Sequence, residues 1–454
     1  MSYKFTSLLW CGLLCLAGSA WSQDTIPGKL DELIGRYAAY NKFNGTALIA
    51  VEGKILLEKG YGWKDIDHHA PNDANTIFRV GSITKEFTAA VVLRLAAEQK
   101  LDLADKLSKH FPGFPQGDNI SIQNLLNHTS GIFNYTYVPD FWTLSKRPTS
   151  EKEVLDSIMD KPLLFTPGSQ FSYSNSNYML LAYIIQKVTG QGYESMVRKE
   201  VFGPLGMTHS GFDFVRLNSR DKATAYWQFS PLGYTLGPDQ DSTQFIGSGG
   251  LYSTAEDLYK WHQALQQGRI IDNTLQEKAY TAGKGPYGDG WELDSAYGKK
   301  LVGHGGRVFG FEAKMIRIPG DDIFIILLNN TADEPCIDVV GKGILAILFH
   351  QPYTLPEAPV RLPEDRLKKY VGRFSPDGQR IFETTIVNGH LFGKESSEHP
   401  PMELFPIGHD RFMVVVRDGM RIEHQFRRDE NGEIKEIEIS IEKLGRKLTL
   451  PKIK

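Results

Sequence analysis

The chain has 454 residues, a length that predicts two or three domains. Hydrophobic residues make up 41% of the chain and charged residues 23%, which is ordinary for a globular protein with a sizeable core. The formal net charge of −3 provides no overall basic field, so we expect no nucleic-acid partner.

The first 22 residues have the pattern of a secretory signal peptide. An apolar stretch over residues 8–17 is too short to span a bilayer securely, and small residues follow at Ala20 and Ser22, the −3 and −1 positions of a cleavage site. We therefore expect residues 1–22 to be removed, leaving a secreted or periplasmic protein without a stable membrane span; an uncleaved anchor is the alternative. Cleavage takes two of the three cysteines, so the remaining Cys336 predicts a mature monomer without an internal disulfide.

A helix and a β-hairpin are predicted next. Residues 26–40 have helical periodicity, and the apolar runs 45–51 and 54–58 are joined by the turn signal Glu52-Gly53. Further elements follow in chain order: a buried helix beginning at Ser82, helices over 121–126, 151–159 and 178–188, a helix beginning near Ser253, strands over 301–304, 309–318 and 323–328, and a helix over 339–349. Strands at both ends of a mostly helical middle imply one antiparallel sheet with a helical insertion, an α+β fold.

Prolines separate this first domain, residues 23–351, from a second one. Four of them punctuate residues 352–363, a stretch without periodicity that we interpret as a linker. Beyond it, residues 364–454 contain alternating runs and three hairpin signals of the Asn-Gly or Asp-Gly type. About eight strands in roughly 90 residues favour a small all-β domain, either a barrel or a sandwich.

Ser82 and Lys85 stand close to one helical turn apart, directly after Gly81. Residues i and i+3 share a helix face, so the two side chains are expected to meet. A lysine that loses its proton in a desolvated pocket can act as the base for a serine nucleophile, and the helix start provides N–H groups for an oxyanion. The alternative is an N-cap serine beside a solvated lysine. The spacing alone does not decide, because Ser-x-x-Lys recurs at Ser219 and Ser440.

Three short motifs stand in order along the chain: Ser82-x-x-Lys85, Tyr173-x-Asn175 and His304-Gly305-Gly306. Tyr-x-Asn occurs nowhere else in the sequence. The ordered set, over residues 27–350, resembles the serine β-lactamase and penicillin-binding-protein superfamily. It is most similar to class C β-lactamases and the related serine hydrolases, namely D-aminopeptidases, carboxylesterases and the penicillin-binding protein 4* type. The resemblance implies an antiparallel sheet with helices on both faces, and we expect no cofactor and no metal ion.

The resemblance also implies a role for each matching residue. Ser82 would form the acyl-enzyme and Lys85 would accept its proton or activate it electrostatically. Tyr173, as a phenolate or as a hydrogen-bond relay, would pass a proton to the leaving group and activate the deacylating water. Asn175 would bind the substrate amide and hold Lys85. The backbone N–H groups of Ser82 and Arg307 would form the oxyanion hole.

His304, Gly305 and Gly306 would form a substrate-binding edge strand, where glycine lets a substrate pair closely with the backbone. Penicillin-binding enzymes usually carry Lys-Thr-Gly or Lys-Ser-Gly there, whose lysine and hydroxyl hold a substrate carboxylate. Here the hydroxyl is absent and the cation is conditional, since an unperturbed histidine titrates near pH ~6.5. We therefore expect a peptidase, amidase or esterase that acts on a small molecule or short peptide. The alternatives are a true class C-type β-lactamase and a non-hydrolytic penicillin-binding sensor.

Overall fold

The computed structural model describes residues 25–332, 335–395, 400–416 and 418–453. The predicted signal peptide, residues 1–22, therefore lies outside the described residues. The α-helices, in chain order, are α1 (Ile26–Ala39), α2 (Thr84–Ala97), α3 (Leu107–His110), α4 (Ile122–Leu126), α5 (Phe141–Leu144), α6 (Glu151–Met159), α7 (Asn175–Thr189), α8 (Tyr193–Val197), α9 (Gly203–Leu205), α10 (Ala255–Gln266), α11 (Asn273–Ala279), α12 (Ile337–Leu348) and α13 (Glu364–Leu367).

The strands fall into two groups along the chain. The first group contains β1 (Gly45–Val51), β2 (Lys54–Tyr61), β3 (Trp63–Asp65), β4 (Ala70–Pro71), β5 (Phe78–Arg79), β6 (Tyr226–Ser230), β7 (Gly233–Leu236), β8 (Tyr252–Ser253), β9 (Glu292–Ala296), β10 (Lys299–Val308), β11 (Phe311–Ile318) and β12 (Ile323–Asn329). The second group contains β13 (Gly372–Phe374), β14 (Phe382–Val387), β15 (His390–Lys394), β16 (Met402–Glu403), β17 (Phe405–Gly408), β18 (Arg411–Val415), β19 (Arg421–Arg428), β20 (Ile434–Ile441) and β21 (Arg446–Ile453).

The first domain is built on a six-stranded antiparallel sheet in the order β2-β1-β12-β11-β10-β9. Its strands come from the two ends of the domain, and the mostly helical residues between Tyr61 and Glu292 form the insertion. Because successive side chains of a strand point to opposite faces, Phe324 and Ile326 of β12 join one core cluster and Ile325 joins the other. Helices α2, α7 and α10 belong to the first cluster, and α1 and α12 to the second. The predicted α+β fold, with helices on both faces of the sheet, is confirmed.

Helix α2 crosses the middle of the larger core cluster. Every residue from Thr84 to Leu93 is buried, which explains why the sequence is apolar on nearly every face of this helix. Two of these buried residues, Lys85 and Glu86, carry ionisable groups. Burial of such groups costs free energy unless they lose their charge or find polar partners. The start of this helix is therefore a candidate functional site.

Strand β10 is longer than the sequence indicated. The predicted strand ends at residue 304, whereas the observed strand continues to Val308. Three glycines lower the strand propensity of this stretch and hid its continuation. At one of them, Gly303, the carbonyl group of Met315 on β11 occupies the space that a Cβ atom would need. At this position the backbone of β10 therefore lies very close to that of β11.

The C-terminal region forms one nine-stranded antiparallel sheet in the order β16-β15-β14-β13-β21-β20-β19-β18-β17. Its core cluster includes Phe374, Phe412, Phe426 and Ile437, which are all but completely buried. The predicted all-β domain is confirmed, with a barrel-like arrangement and, within the described part of residues 364–454, nine strands where about eight were expected.

The segment between the two domains is held against the first one. Residues 352–363 have neither helix nor strand up to α13. Two carbonyl groups of this segment accept hydrogen bonds from the first domain. Arg36 donates to the Pro356 carbonyl at 2.8 Å, and the Tyr40 hydroxyl donates to the Glu357 carbonyl at 2.8 Å. The position of the boundary stays a prediction, but this segment is not a free tether.

The two domains also share apolar contacts. Ile407, Met413 and Val415, from β17 and β18, belong to the same core cluster as α1 and α12 of the first domain. Burial of such side chains contributes about 1.5–3 kcal/mol each. The C-terminal domain therefore covers one helical face of the first domain.

Candidate active site

Ser82 lies in the turn that leads into α2. Gly81 has a φ of +53°, which favours glycine, and begins a 3-10 helical turn over Gly81–Ile83. Other residues occupy the cap positions of this turn and of α2. Lys85 is completely buried. The alternative of an N-cap serine beside a solvated lysine is therefore wrong.

The Lys85 amino group has three polar neighbours. Its Nζ lies 3.0 Å from Ser82 Oγ, 2.8 Å from Asn175 Oδ1 and 2.7 Å from the carbonyl oxygen of Ser248. Burial holds the pKa of Lys85 well below its usual range, although the carboxylate of Glu292 acts in the opposite direction. A neutral amine donates two hydrogen bonds, here to Asn175 and Ser248, and keeps a lone pair that can accept the proton of Ser82.

Tyr173 and Asn175 lie where the chain enters α7. The Asn175 backbone N–H donates to Asn134 Oδ1 at 3.2 Å, which fixes the start of the helix. The Tyr173 ring centroid lies 4.8 Å from Lys85 Nζ. Burial raises the pKa of Tyr173 above its usual range, and the nearby Ser82 side chain offsets this only in part. Of the two forms that the sequence left open, the structure favours the neutral hydroxyl over the phenolate.

His304 is buried on β10 with both ring nitrogens engaged by protein groups. Its Nδ1 lies 2.6 Å from the Gly305 carbonyl oxygen, and its Nε2 lies 2.9 Å from the Tyr287 hydroxyl. This pairing places the proton on Nδ1 and makes Tyr287 the donor to Nε2. Burial lowers the pKa of His304 to about 4, and the opposing effect of Glu292 is smaller. The imidazole is therefore neutral at ordinary pH, and it would have to give up a protein partner to bind a substrate.

β10 presents an open edge to Ser82. β9 pairs with β10 only as far as Gly303, so residues 304–308 have no strand partner on that side among the described residues. The turn that carries Ser82 packs against this edge, and a Cβ atom on Gly81 would lie 2.7 Å from the backbone nitrogen of Arg307. The backbones of Ser82 and Arg307, the two residues predicted to form the oxyanion hole, thus lie in closely packed segments.

The two glycines of this edge differ in their surroundings. At Gly306 the carbonyl group of Val80 occupies the space of a Cβ atom, so the close approach of the turn before α2 requires glycine. At Gly305 a Cβ atom would lie 3.8 Å from the Glu292 carboxylate oxygens and 3.9 Å from the Lys314 side chain, which are ordinary contacts. The sequence assigned both glycines to substrate pairing; the structure shows that Gly306 is also required for packing and that Gly305 has room for a side chain.

Three neighbours of the site were missed by sequence reasoning. Glu292 accepts a hydrogen bond from the Gly305 N–H at 3.1 Å, and its Oε1 lies 3.5 Å from His304 Nδ1. Tyr287 holds His304, and Ser248 offers its carbonyl oxygen to Lys85. Only Ser248 had a signal, since it lies in a glycine-rich stretch; nothing in the sequence marks the other two.

No group of three or more histidine, cysteine, aspartate or glutamate side chains within the described residues could hold a metal ion. In the same residues, no helix has the length and apolar character needed to cross a membrane.

Known proteins share both the sequence pattern and the fold. The family model described as Beta-lactamase matches residues 30–342. Penicillin-binding protein 4* of Bacillus subtilis (strain 168) is 30% identical over 401 residues, which cover 82% of this chain and 88% of that protein.

Two solved structures extend the comparison. The octameric penicillin-binding protein homologue from Pyrococcus abyssi superposes with a TM-score of 0.67 at 27% identity, covering 93% of this chain and 99% of that one. A D-stereospecific amidohydrolase from Streptomyces sp. gives a TM-score of 0.61 at 25% identity, covering 70% of this chain and 96% of its own. The molecule is thus a member of the serine β-lactamase and penicillin-binding-protein superfamily, a class of serine hydrolases. Within this class, the chain belongs to the β-lactamase family.

Proposed function

We propose that this protein is a hydrolase that cleaves an amide or an ester through an acyl-enzyme on Ser82. The observation that carries the proposal is the 3.0 Å contact between Ser82 Oγ and the amino group of Lys85, a lysine that is completely buried. A buried lysine with a lowered pKa is a base at neutral pH, and a hydroxyl beside it is an activated nucleophile.

Acylation follows from the positions of these groups. Ser82 Oγ attacks the carbonyl carbon of the substrate while its proton passes to the neutral Lys85 amine. The C=O electron pair moves onto the carbonyl oxygen, where the N–H groups of Ser82 and Arg307 stabilise the negative charge. The bond to the leaving amine or alcohol then breaks, and the leaving group takes a proton through the Tyr173 hydroxyl.

Deacylation reverses the same proton path. Water attacks the ester on Ser82, and its proton passes through Tyr173 to Lys85. The bond between Ser82 Oγ and the acyl carbon breaks, Ser82 recovers its proton, and a carboxylic acid leaves. A neutral Tyr173 can serve in both directions because a hydroxyl both donates and accepts a hydrogen bond.

The edge of β10 favours substrates without a carboxylate beside the scissile bond. A neutral His304 offers no cation, and the Glu292 carboxylate lies on the same edge, bonded to the Gly305 N–H. Both features weaken the binding of an anionic β-lactam. A peptidase, amidase or esterase is therefore favoured over a true β-lactamase or a penicillin-binding sensor. The similarity to a D-stereospecific amidohydrolase supports a D-residue amide or peptide as substrate.

The place of action is a separate proposal. The signal-peptide pattern of residues 1–22 supports export of the enzyme, to the periplasm or to the medium. Detection of mature protein that begins at Gln23 in the exported fraction would support it. Full-length protein retained in the cytoplasm would contradict it.

The function is tested by labelling followed by turnover. A fluorophosphonate probe is expected to label wild-type protein at Ser82, as mapped by peptide mass spectrometry. A panel of D- and L-aminoacyl anilides, short-chain esters and nitrocefin then ranks the substrates by kcat/KM, with nitrocefin expected to be poor. Nitrocefin as the best substrate would establish a β-lactamase instead. A penicillin adduct that persists for hours without turnover would establish a sensor.

A further inference from the structure

A group of aromatic side chains, two of which are exposed, lies at the far end of β10. Its members are Trp142, Trp227, Phe245 and Phe309, here called the aromatic shelf. The Trp142 ring meets Phe309 edge to face with centroids 4.1 Å apart, and Trp227 lies 6.1 Å from Trp142. Trp142 is 59% exposed and Trp227 is 44% exposed. Two neighbouring indoles left open to water in this way are unusual, because each offers a large area for apolar contact.

The aromatic shelf adjoins the Ser82 turn from two directions. Phe309 follows β10 directly and stands two residues beyond Arg307, whose backbone nitrogen would lie 2.7 Å from a Cβ atom on Gly81 of that turn. Phe245 lies 6.5 Å from Phe309, and it reaches the turn through Gly249. The Cβ position of Gly249 is 3.8 Å from Phe245 Cβ and 3.8 Å from the Gly81 carbonyl carbon. The aromatic shelf therefore borders the turn that carries Ser82, next to the proposed oxyanion hole.

The opposite end of the same edge is polar. Tyr173 and His304 lie there with ring centroids 6.1 Å apart, and Glu292 bonds the Gly305 N–H. In the proposed reaction Tyr173 delivers the proton to the leaving group, so the leaving group lies at this polar end. When the scissile carbonyl occupies the oxyanion hole, the acyl half of the substrate must extend the other way, towards Phe309.

We propose that the aromatic shelf binds the acyl half of the substrate and selects an apolar acyl group that carries an aromatic ring. This inference rests on the proposed function, since it uses the direction in which Tyr173 protonates the leaving group. It assigns specificity to Trp142 and Trp227, which no motif of the sequence marks. Planar apolar groups stack on indole rings, whereas a charged acyl group would lose water without gaining a partner.

Two isomeric esters test the direction of binding. Methyl phenylacetate carries its ring in the acyl half, and benzyl acetate carries the same ring in the leaving group. We expect wild-type enzyme to prefer methyl phenylacetate. Trp142→Ala and Trp227→Ala should each lower kcat/KM for methyl phenylacetate about tenfold, and change benzyl acetate by less than about twofold. Trp142→Phe should retain most of the preference, because it keeps an aromatic face.

The controls separate failure of the shelf from failure of the reaction. Trp63→Ala removes another exposed tryptophan, 37% exposed on β3, and should change neither ester. The same esters are also assayed as competitors of fluorophosphonate labelling, which reports binding without turnover. Shelf variants that affect both isomers equally, or neither, overturn this inference alone. Absence of both labelling and hydrolysis in wild-type protein overturns the proposed function and the inference together.

Discussion

The motif Ser-x-x-Lys occurs at Ser82 and again at Ser219, and the structure gives the two copies different surroundings. Lys85 is completely buried and approaches the Ser82 hydroxyl. Lys222 instead donates to the carbonyl oxygen of Val215 at 3.0 Å, and the Ser219 hydroxyl accepts a hydrogen bond from a backbone N–H two residues later. Burial lowers the pKa of both lysines, but far more for Lys85. The same spacing therefore produces a candidate catalytic pair in one place and a surface turn in the other.

The third Ser-x-x-Lys motif, at Ser440, lies at the end of a strand. Ser440 lies on β20, and Lys443 follows after the strand ends. The chain changes from strand to a 3-10 turn over Glu442–Leu444 between these two residues, so they do not share one helical turn. The Ser-x-x-Lys spacing therefore forms a candidate catalytic pair only where both residues lie on one helical turn that is removed from water.

The largest expected effect separates the three serines. Ser82→Ala should abolish turnover and fluorophosphonate labelling, because the nucleophile is gone. Ser219→Ala and Ser440→Ala should retain wild-type kcat/KM, since neither serine lies beside a buried base. Mapping of the labelled peptide checks the assignment. A Ser82→Ala protein that still turns over substrate would place the nucleophile elsewhere.

The next largest effect is a difference in acylation rate between variants of Lys85 and Lys222. Lys85→Ala should lower the rate of acylation by about 10²–10⁴-fold, the usual contribution of an acid–base group. Lys222→Ala is the matched control and should leave the rate unchanged. Single-turnover labelling rates measure the step directly. A Lys85→Ala enzyme with the wild-type rate would show that another group takes the proton.

A smaller effect concerns His304, because the charge of its imidazole also depends on burial. Replacing His304 with lysine and Gly305 with threonine restores the cation and hydroxyl of penicillin-binding enzymes, and Gly305 has room for the new side chain. The double variant should shift preference towards carboxylate-bearing β-lactams by about 1–2 kcal/mol, one charge-assisted hydrogen bond. The measurement is the ratio of kcat/KM for nitrocefin and a neutral ester.

Wild-type pH dependence checks the same interpretation. Because the pKa of His304 is lowered to about 4, its charge does not change between pH 6 and 8. His304→Gln should therefore leave the shape of the kcat/KM profile for a neutral ester unchanged over that range. A wild-type enzyme that already hydrolyses the anionic substrate faster than the neutral one would contradict this account of His304.

A last effect is on stability rather than on turnover and follows from proton linkage at Lys85. Between its lowered folded pKa and an unfolded value of about 10.4, the unfolded chain binds the proton and the folded chain does not. The free energy of unfolding should therefore rise with pH in that window, relative to a Lys85→Met variant that cannot titrate. Chemical denaturation of both proteins at pH 7, 8, 9 and 10 measures the difference. Parallel pH profiles would mean that Lys85 keeps its proton in the folded state.

Local patterns predicted the elements that depend on neighbours along the chain. The 3.6-residue periodicity located α1, and the apolar runs joined by Glu52-Gly53 located the β1–β2 hairpin. The length of β10 was not predictable in this way. Gly303 and Gly306 are explained by contacts with β11 and with the turn before α2, and those contacts join segments that are far apart in sequence. For the same reason Glu292 and Tyr287 gave no signal.

Local spacing and motif order were enough to predict the class of fold, the all-β character of the C-terminal domain, and the candidate residues Ser82, Lys85 and Tyr173. Folding set the downward direction of the Lys85 and His304 pKa shifts, since a pKa depends on how completely a group is removed from water. It also decided which end of the β10 edge is polar and which is aromatic. Those surroundings are assembled from α5, the β6–β7 hairpin and β9, segments that only folding brings together.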